Sequence, residues 1–282
     1  MTTPKGSVLI PAHNEAAVIV RCLDALFDAI EPGDLEVVVV CNGCSDNTAQ
    51  LARTSGHEVL VLELDTPSKP GALRMGEKAL TTFPRLYLDA DVVLSGHSAL
   101  TLLDHLRDGP AQAVRPPITY EADGASRPVR RYYEARVRLP AVMSCLWGAG
   151  IYGLSEEGRS RFGDYPDIVA EDLFVDRHFA EHEIEIVSCA PAIVKAPRRS
   201  TDLVRIMRRS YRGKAELSNG SYGSNRKTTT RDTAREVIDL ALEGPRQAAD
   251  AFIYSAVAVT GRLMTHVGRT DNWERDESSR IA

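Results

Sequence analysis

Long apolar runs are missing from the 282-residue chain. The longest weakly polar stretch, Ala251 to Gly261, stops at Arg262 and falls well short of the ~20 apolar residues a bilayer crossing needs. The opening Met1-Thr2-Thr3-Pro4-Lys5-Gly6 leads into an apolar strand pattern and then into Pro11 and polar residues. The small-residue cleavage site that follows the apolar core of an export signal is absent. Cysteine is scarce and odd in number, five in all, at positions 22, 41, 44, 145 and 189. That argues against a disulfide scaffold and for a reducing compartment. Excess positive charge is missing too. The 34 Lys and Arg against 39 Asp and Glu give a net charge of −5, which disfavours nucleic acid as a partner, since such binding rests on neutralising phosphates. Internal repeats and long low-complexity tracts are absent. These absences predict a cytoplasmic protein, with peripheral contact at the inner membrane face left open.

What is present is an ordinary globular balance, 43% hydrophobic and 26% charged, enough for one large α/β domain or two small ones. Strand-like runs at Ser7–Ile10, Val37–Val40, Val59–Leu62 and Arg85–Leu88 alternate with helical patterns at Glu15–Ile30, Asn47–Arg53, Gly71–Thr82 and Ser98–Arg107. In the first helical pattern Val18, Ile19, Cys22, Leu23, Leu26 and Phe27 recur at helical spacing. Strand–helix alternation with short links predicts an α/β fold, with a mostly parallel central sheet and helices on both faces. Farther on, Arg127–Leu139, Glu171–Glu181 and Asp202–Glu216 read as helices, and Ile151–Leu154 and Ile184–Cys189 as strands. Ser218–Thr230, rich in Ser, Asn, Gly and Thr, reads as a loop and boundary. It divides a domain at 1–217 from a hinge loop and C-terminal helical extension at 218–282. Arg246–Val267 is apolar around much of its circumference. It is read as packing on the body or on a second subunit in a homodimer, with a membrane surface as the alternative.

Parallel sheets bind ligands at the carboxyl ends of their strands, yet the usual phosphate loops are missing. Pro11-Ala12-His13-Asn14-Glu15 follows the first strand in place of a glycine fingerprint, and no Walker-type loop occurs. Asp89-Ala90-Asp91 follows the Arg85–Leu88 strand directly. In an extended chain the side-chain period is two, so both carboxylates are expected to face the same way. Such a pair repels itself unless a hard divalent cation intervenes, and such cations take one or two carboxylates plus substrate phosphates. A solvated turn is the alternative for Asp-x-Asp alone. Between Lys195 and Lys214 eight basic residues face a single acidic one, Asp202. Arg205, Arg208, Arg209 and Arg212 fall at i, i+3, i+4 and i+7, on one helix face. That stripe suits a diphosphate or an anionic headgroup, with a solvated face as the alternative. His178 and His182 stand at helical i, i+4 spacing but lack a zinc protease's adjacent glutamate. Cys41-x-x-Cys44 has no second Cys pair and reads as two unpaired thiols.

Taken in order, Val8–Glu15, Val40–Thr48, Lys69–Leu73, Asp89–Asp91 and Glu171-Asp172 resemble family 2 glycosyltransferases of the GT-A fold, over roughly Ser7 to Gly213. The resemblance implies a nucleotide-diphosphate sugar as donor, Mg²⁺ or Mn²⁺ as cofactor, and transfer with inversion at the anomeric carbon. By it, Pro11, Ala12 and Glu15 correspond to the first nucleotide-binding segment, and Asn42 and Asp46 to the base- and ribose-side segment. Lys69 falls where a basic residue approaches the nucleotide. Asp89 and Asp91 correspond to the metal and diphosphate motif. Asp172 corresponds to the general base, with Glu171 beside it. Gly148 and Gly150 fall in a turn ahead of the acceptor site. Arg209 and Arg212 of the basic stripe join the donor-binding set. Two departures stand out. The second segment begins Cys41-Asn42 where two acidic residues are usual, which weakens the case for uracil. Ile206-Met207-Arg208-Arg209-Ser210 occupies the region of the processive Gln-x-x-Arg-Trp signature without the Gln or Trp, which points to transfer of one sugar. The acceptor is expected to be a small molecule, a glycan or a lipid-linked compound. A sugar nucleotidyltransferase and a catalytically silent nucleotide-sugar-binding scaffold remain as rival readings.

Overall fold

The apolar runs build the centre of the molecule. The computed structural model describes residues 3–219 and 230–266. Most of the expected loop Ser218–Thr230, together with Val267 and the charged tail, lies outside the described residues. The strands are β1 Gly6–Ala12, β2 Leu35–Asn42, β3 Leu60–Leu64, β4 Arg85–Leu88, β5 Val92–Val93, β6 Ala113–Arg115, β7 Ile118–Glu121, β8 Ile151–Leu154, β9 Ile184–Ile186 and β10 Ala192–Lys195. The helices are α1 Ile19–Phe27, α2 Thr48–Arg53, α3 Lys69–Ala79, α4 Gly96–Asp108, α5 Arg127–Arg136, α6 Pro140–Met143, α7 Glu156–Ser160, α8 Glu171–Asp176, α9 Ser200–Asn219, α10 Thr230–Leu242 and α11 Pro245–Leu263.

Seven strands form the main sheet in the order β3-β2-β1-β4-β8-β6-β9, and β5-β10-β7 form a small second sheet. β1 pairs in parallel with both β2 and β4, and β2 with β3. β8 runs antiparallel between β4 and β6. The expected mostly parallel sheet is therefore present, with β8 reversed inside it. The strand period of two, with both faces covered, explains the unbroken apolar runs Val8–Ile10 in β1 and Val37–Val40 in β2. Val8, Ile10, Val37 and Val39 join one core with Ile19 and Leu23 of α1 and Leu102 of α4. Leu9, Val38 and Val40 join the opposite core with Leu73 of α3 and Phe174 of α8. Each such side chain contributes about 1.5–3 kcal/mol on full burial.

Several boundaries differ from expectation, each for a local reason. α1 begins at Ile19 rather than Glu15, because the Glu15 carbonyl accepts from the Val18 and Ile19 amides in a preceding turn. α8 stops at Asp176 rather than Glu181. The Asp176 carboxylate there accepts the Leu146 amide at 2.8 Å, and residues 181–183 form a separate 3₁₀ turn. His178 and His182 therefore share no helix, which removes the basis for a zinc pair. β5, β6, β7 and β10 were not expected from sequence. β6 ends in Arg115, which is only 1% exposed and donates to the carbonyls of Cys145, Pro116 and Met143. The helices α10 and α11 share a third apolar cluster with α5 and α9, through Val129, Tyr132, Leu203, Leu240 and Tyr254. Among the described residues no helix is long and apolar enough to cross a membrane.

Candidate functional site

The order β2-β1-β4 places a topological switch point beside β1: the chain leaves it towards β2 on one side and receives β4 on the other. The carboxyl ends of these strands splay there and leave a crevice. A cavity of about 320 Å³ opens at that point. Pro11, Asn42 and Asp89, at or just after the ends of β1, β2 and β4, reach it, as do Glu171 and Asp172 of α8.

The Asp89-Ala90-Asp91 segment is a turn rather than a continuation of the strand. The Val92 amide donates to the Asp89 carbonyl at 3.0 Å. The period-two argument fails at this point, yet both aspartates line the cavity. Gly150 fixes the first of them. Its carbonyl accepts the Asp89 amide at 2.8 Å, extending the β4–β8 ladder by one step. At φ +67° it holds a backbone conformation that L side chains rarely adopt. A Cβ there would stand 2.6 Å from Val92 Cγ2 and 3.3 Å from Asp89 Oδ2.

Lys69 opens α3 behind the capping residue Ser68, whose hydroxyl accepts the Gly71 amide. Its ammonium does not stand free for a nucleotide. It donates to Asp89 Oδ1 at 2.6 Å and to Glu171 Oε1 at 2.5 Å. Burial alone would lower the Lys69 pKa, but the charges of Asp89 and Glu171 prevail and hold it above its usual range. Glu171 is 4% exposed. Burial raises its carboxyl to about 7 against the pull of Lys69, with Asp172 and Asp89 adding to the rise. Asp172 is held by two backbone donors, the Gly148 amide on Oδ2 and its own Leu173 amide on Oδ1, both at 2.7 Å. Those bonds fix the carboxylate's direction while leaving lone pairs on both oxygens.

The remaining expected residues divide. Glu15 lines the cavity, and its amide donates to Thr48 Oγ1 at 2.7 Å. Asn42 also lines it, but its amide is used inside the protein: Nδ2 donates to the Ala12 carbonyl, and Oδ1 accepts the Ser68 amide. Asn42 thus ties β1 to the start of α3. Ala12, Asp46 and Arg212 are not among the lining residues. Asp46 takes up the Thr48 amide and hydroxyl and the Ala16 amide. The basic stripe of α9 is split. Arg209 reaches the cavity, whereas Arg205 is exposed and pairs with Asp202 at 2.9 Å. The cavity side of α9 is instead Ile206, Met207, Ser210, Tyr211 and Lys214. Cys41 and Cys44 are free thiols, and a hydrogen bond from Cys41 pulls Cys44 down to about 6.

Arg136, Lys195 and Lys214 also line the cavity; none was nominated as a site residue, although Lys195 and Lys214 bound the basic run. Arg136, at the end of α5, is 8% exposed, and Lys214 Nζ lies 4.2 Å over the Trp147 ring. Their signal lay in helical spacing. Arg136 follows Tyr132 and Tyr133 by four and three residues, and Lys214 follows Tyr211 by three, the separations at which a cation meets an aromatic on one helix face.

Among the described residues no group of three or more His, Cys, Asp or Glu side chains is arranged to hold a metal. That suits a hard cation completed by ligand phosphates, which needs only one or two protein carboxylates. Asp89 and Asp91 supply an all-oxygen set of that kind.

Comparison with known proteins bears on the family and the fold. A sequence model described as glycosyl transferase family 2 matches residues 7–149. Over 80 residues the chain is 35% identical to the "Probable glycosyltransferase YdaM" of Bacillus subtilis (strain 168), a stretch covering 28% of this chain and 19% of that relative. This chain thus spans about a fifth of that relative's length. Its fold resembles the mannosyltransferase PcManGT of Pyrobaculum calidifontis, solved in complex with GDP-Man and Mn²⁺. The TM-score is 0.66 at 17% identity, over 94% of this chain and 88% of that one. It also resembles glucosyl-3-phosphoglycerate synthase of Mycobacterium tuberculosis, solved with Mn²⁺, UDP and glucosyl-3-phosphoglycerate. There the TM-score is 0.53 at 24% identity, over 75% and 78%.

Proposed function

Since the chain belongs to glycosyl transferase family 2, we propose that it moves one sugar from a nucleotide-diphosphate sugar to an acceptor hydroxyl, with inversion and with the help of Mg²⁺ or Mn²⁺. One observation carries the reading: Asp89, Asp91, Glu171 and Asp172 converge on a single cavity at the sheet's switch point. The GDP-Man, UDP and Mn²⁺ in the complexes of the two structural neighbours support the donor class and the cation.

Asp89 and Asp91 are the residues that would hold the cation. When bound, it supplies charge neutralisation to the departing diphosphate. Lys69 keeps Asp89 and Glu171 together despite their like charge. Asp172 is the base. The Gly148 amide points its carboxylate into the cavity, where it accepts the proton of the acceptor hydroxyl as that oxygen attacks the anomeric carbon. The new carbon–oxygen bond forms on the face opposite the breaking bond to the diphosphate, so the configuration inverts. The absent Gln-x-x-Arg-Trp signature supports release after one transfer.

The test is release of nucleoside diphosphate from a panel of nucleotide sugars, with acceptors, with and without Mn²⁺. Wild-type protein releases it in a metal-dependent way. Asp172→Asn, which keeps shape but cannot take the proton, loses on the order of 10²–10⁴ in kcat while retaining donor affinity. Turnover near the wild-type rate would remove Asp172 from the role. Absence of turnover with every donor would favour a silent nucleotide-sugar-binding scaffold.

A further inference from the structure

The floor of the cavity and its far wall carry opposite charge. Asp89, Asp91, Glu171 and Asp172 line the floor, with Lys69 bound among them. The far wall is built by α5 and α9 and brings Arg136 and Lys214 to the same space. Arg136 Nε donates to the Tyr120 hydroxyl at 2.9 Å. Its terminal nitrogens make no hydrogen bond to the described residues, and neither Arg136 nor Lys214 forms an ion pair with any of them. Both cations lie against the Trp147 ring, whose centroid is 5.7 Å from the Arg136 guanidinium carbon and 4.2 Å from Lys214 Nζ. Burial lowers the Lys214 pKa, and the charge of Arg136 adds to that. Two desolvated positive charges at one ring, with no carboxylate paired to either among the described residues, are unfavourable in the empty protein. They become favourable when an anion enters.

The position of the pair says what the anion belongs to. A Cβ placed on Gly148 would stand 2.8 Å from Arg136 Nη2, and the Gly148 amide holds Asp172 Oδ2 at 2.7 Å. The Tyr120 hydroxyl that accepts from Arg136 donates in turn to the Gly148 carbonyl at 3.4 Å. Arg136 therefore abuts the loop that aims the base, whereas Asp89 of the cation site adjoins Gly150 and Lys69. The carboxylates that act on Lys214 are Asp172 and Asp176.

We propose that Arg136 and Lys214, with Trp147 beside both, form an acceptor subsite for a phosphate or carboxylate group carried close to the hydroxyl that receives the sugar. The proposal rests on the transferase reading for the place of that hydroxyl beside Asp172. It names the acceptor's chemical class, an anionic hydroxy compound, free or displayed on a lipid.

The test is calorimetric titration of inorganic phosphate into the wild-type protein. It is run alone and then with GDP or UDP plus Mg²⁺ at saturation, using whichever nucleotide raises the melting temperature. The subsite predicts saturable phosphate binding that survives nucleotide occupancy. Lys214→Met, chosen because Arg136 is buried and its loss endangers folding, should weaken phosphate about tenfold or more and keep nucleotide binding. Lys214→Arg should restore most of the affinity. Phosphate displaced by the nucleotide would assign the cations to the donor and overturn the proposal, as would affinity unchanged in Lys214→Met. If neither nucleotide binds, the transferase reading falls, and the titration on the free protein still decides the subsite. Sedimentation with phosphatidylcholine vesicles containing phosphatidic acid separates the sources. Lys214-dependent sedimentation supports a lipid-borne anion, and phosphate binding without sedimentation supports a soluble one.

Discussion

Lys69→Met is the sharpest probe of the acidic floor. The native ammonium bridges Asp89 and Glu171, and the Glu171 side chain is 5% exposed. Removing one partner from a buried ion pair costs about 3–5 kcal/mol, or a fall in Tm on the order of 10 °C for a chain of this size. Methionine suits the first turn of α3, so helix propensity does not confound the result. Part of the loss can be isolated by pH. Burial raises the carboxyl of folded Glu171 to about 7 from its ordinary value of 4.5. Between those values the folded chain holds a proton that the unfolded chain has lost. The contribution of Glu171 is thus fully present below 4.5, falls as pH rises towards 7, and is flat above. In the variant no ammonium offsets burial, so Glu171 stays protonated to higher pH and the decline continues past 7. The stability gap between the two proteins then widens by about 1.4 kcal/mol per pH unit, or about 2 kcal/mol between pH 7 and pH 8.5. Urea unfolding followed by circular dichroism at pH 6, 7, 7.75 and 8.5 measures the gap. A gap constant within about 0.5 kcal/mol over that range would refute the claim that Lys69 holds the charge of Glu171. A total loss under about 1 kcal/mol would refute the buried pair itself.

Two further outcomes follow from the turn around Asp89. Gly150→Ala should cost about 2–4 kcal/mol, from the strained backbone and the crowding of Val92. It should also weaken Mn²⁺-dependent turnover by displacing Asp89; a variant with wild-type Tm and turnover would show the site tolerating a Cβ. Asp91→Asn should lose most of the melting-temperature rise that wild-type protein shows with Mn²⁺ and nucleoside diphosphate together, and chelation should abolish that rise in the wild type. A full rise in Asp91→Asn would exclude Asp91 as a ligand.

The fold was readable where one residue pattern served one purpose. Val37–Val40 is apolar on both faces because both are covered, and that requirement shows in the sequence as an unbroken β-branched run. Arg115 hides β6 for the opposite reason. A buried guanidinium that binds three carbonyls is as good an interior residue as a leucine, yet it looks like surface. Likewise Asp176 ends α8 by binding the Leu146 amide, a tertiary contact that no helical pattern encodes. Asp89 and Asp91 were nominated through their place after a strand and both line the cavity, although the extended geometry assumed for them gave way to a turn.

The same logic explains which part of the site stayed out of view. The carboxyl ends of β1, β2 and β4 are neighbours by topology alone, so residues there can be nominated once strand order is inferred. The far wall depends on how α5, α9 and α11 pack, and that packing is governed by Val129, Tyr132, Leu203, Tyr254 and Val257, not by strand order. Arg136 and Lys214 consequently looked like two charges among many. Only the packed helices bring both to one tryptophan, with no acidic ion-pair partner among the described residues. Across a sheet of this kind the donor-side chemistry is tied to the strands and is readable early. The acceptor-side chemistry is carried by helix packing, so similarity at the donor end leaves the identity of the acceptor to residues such as these.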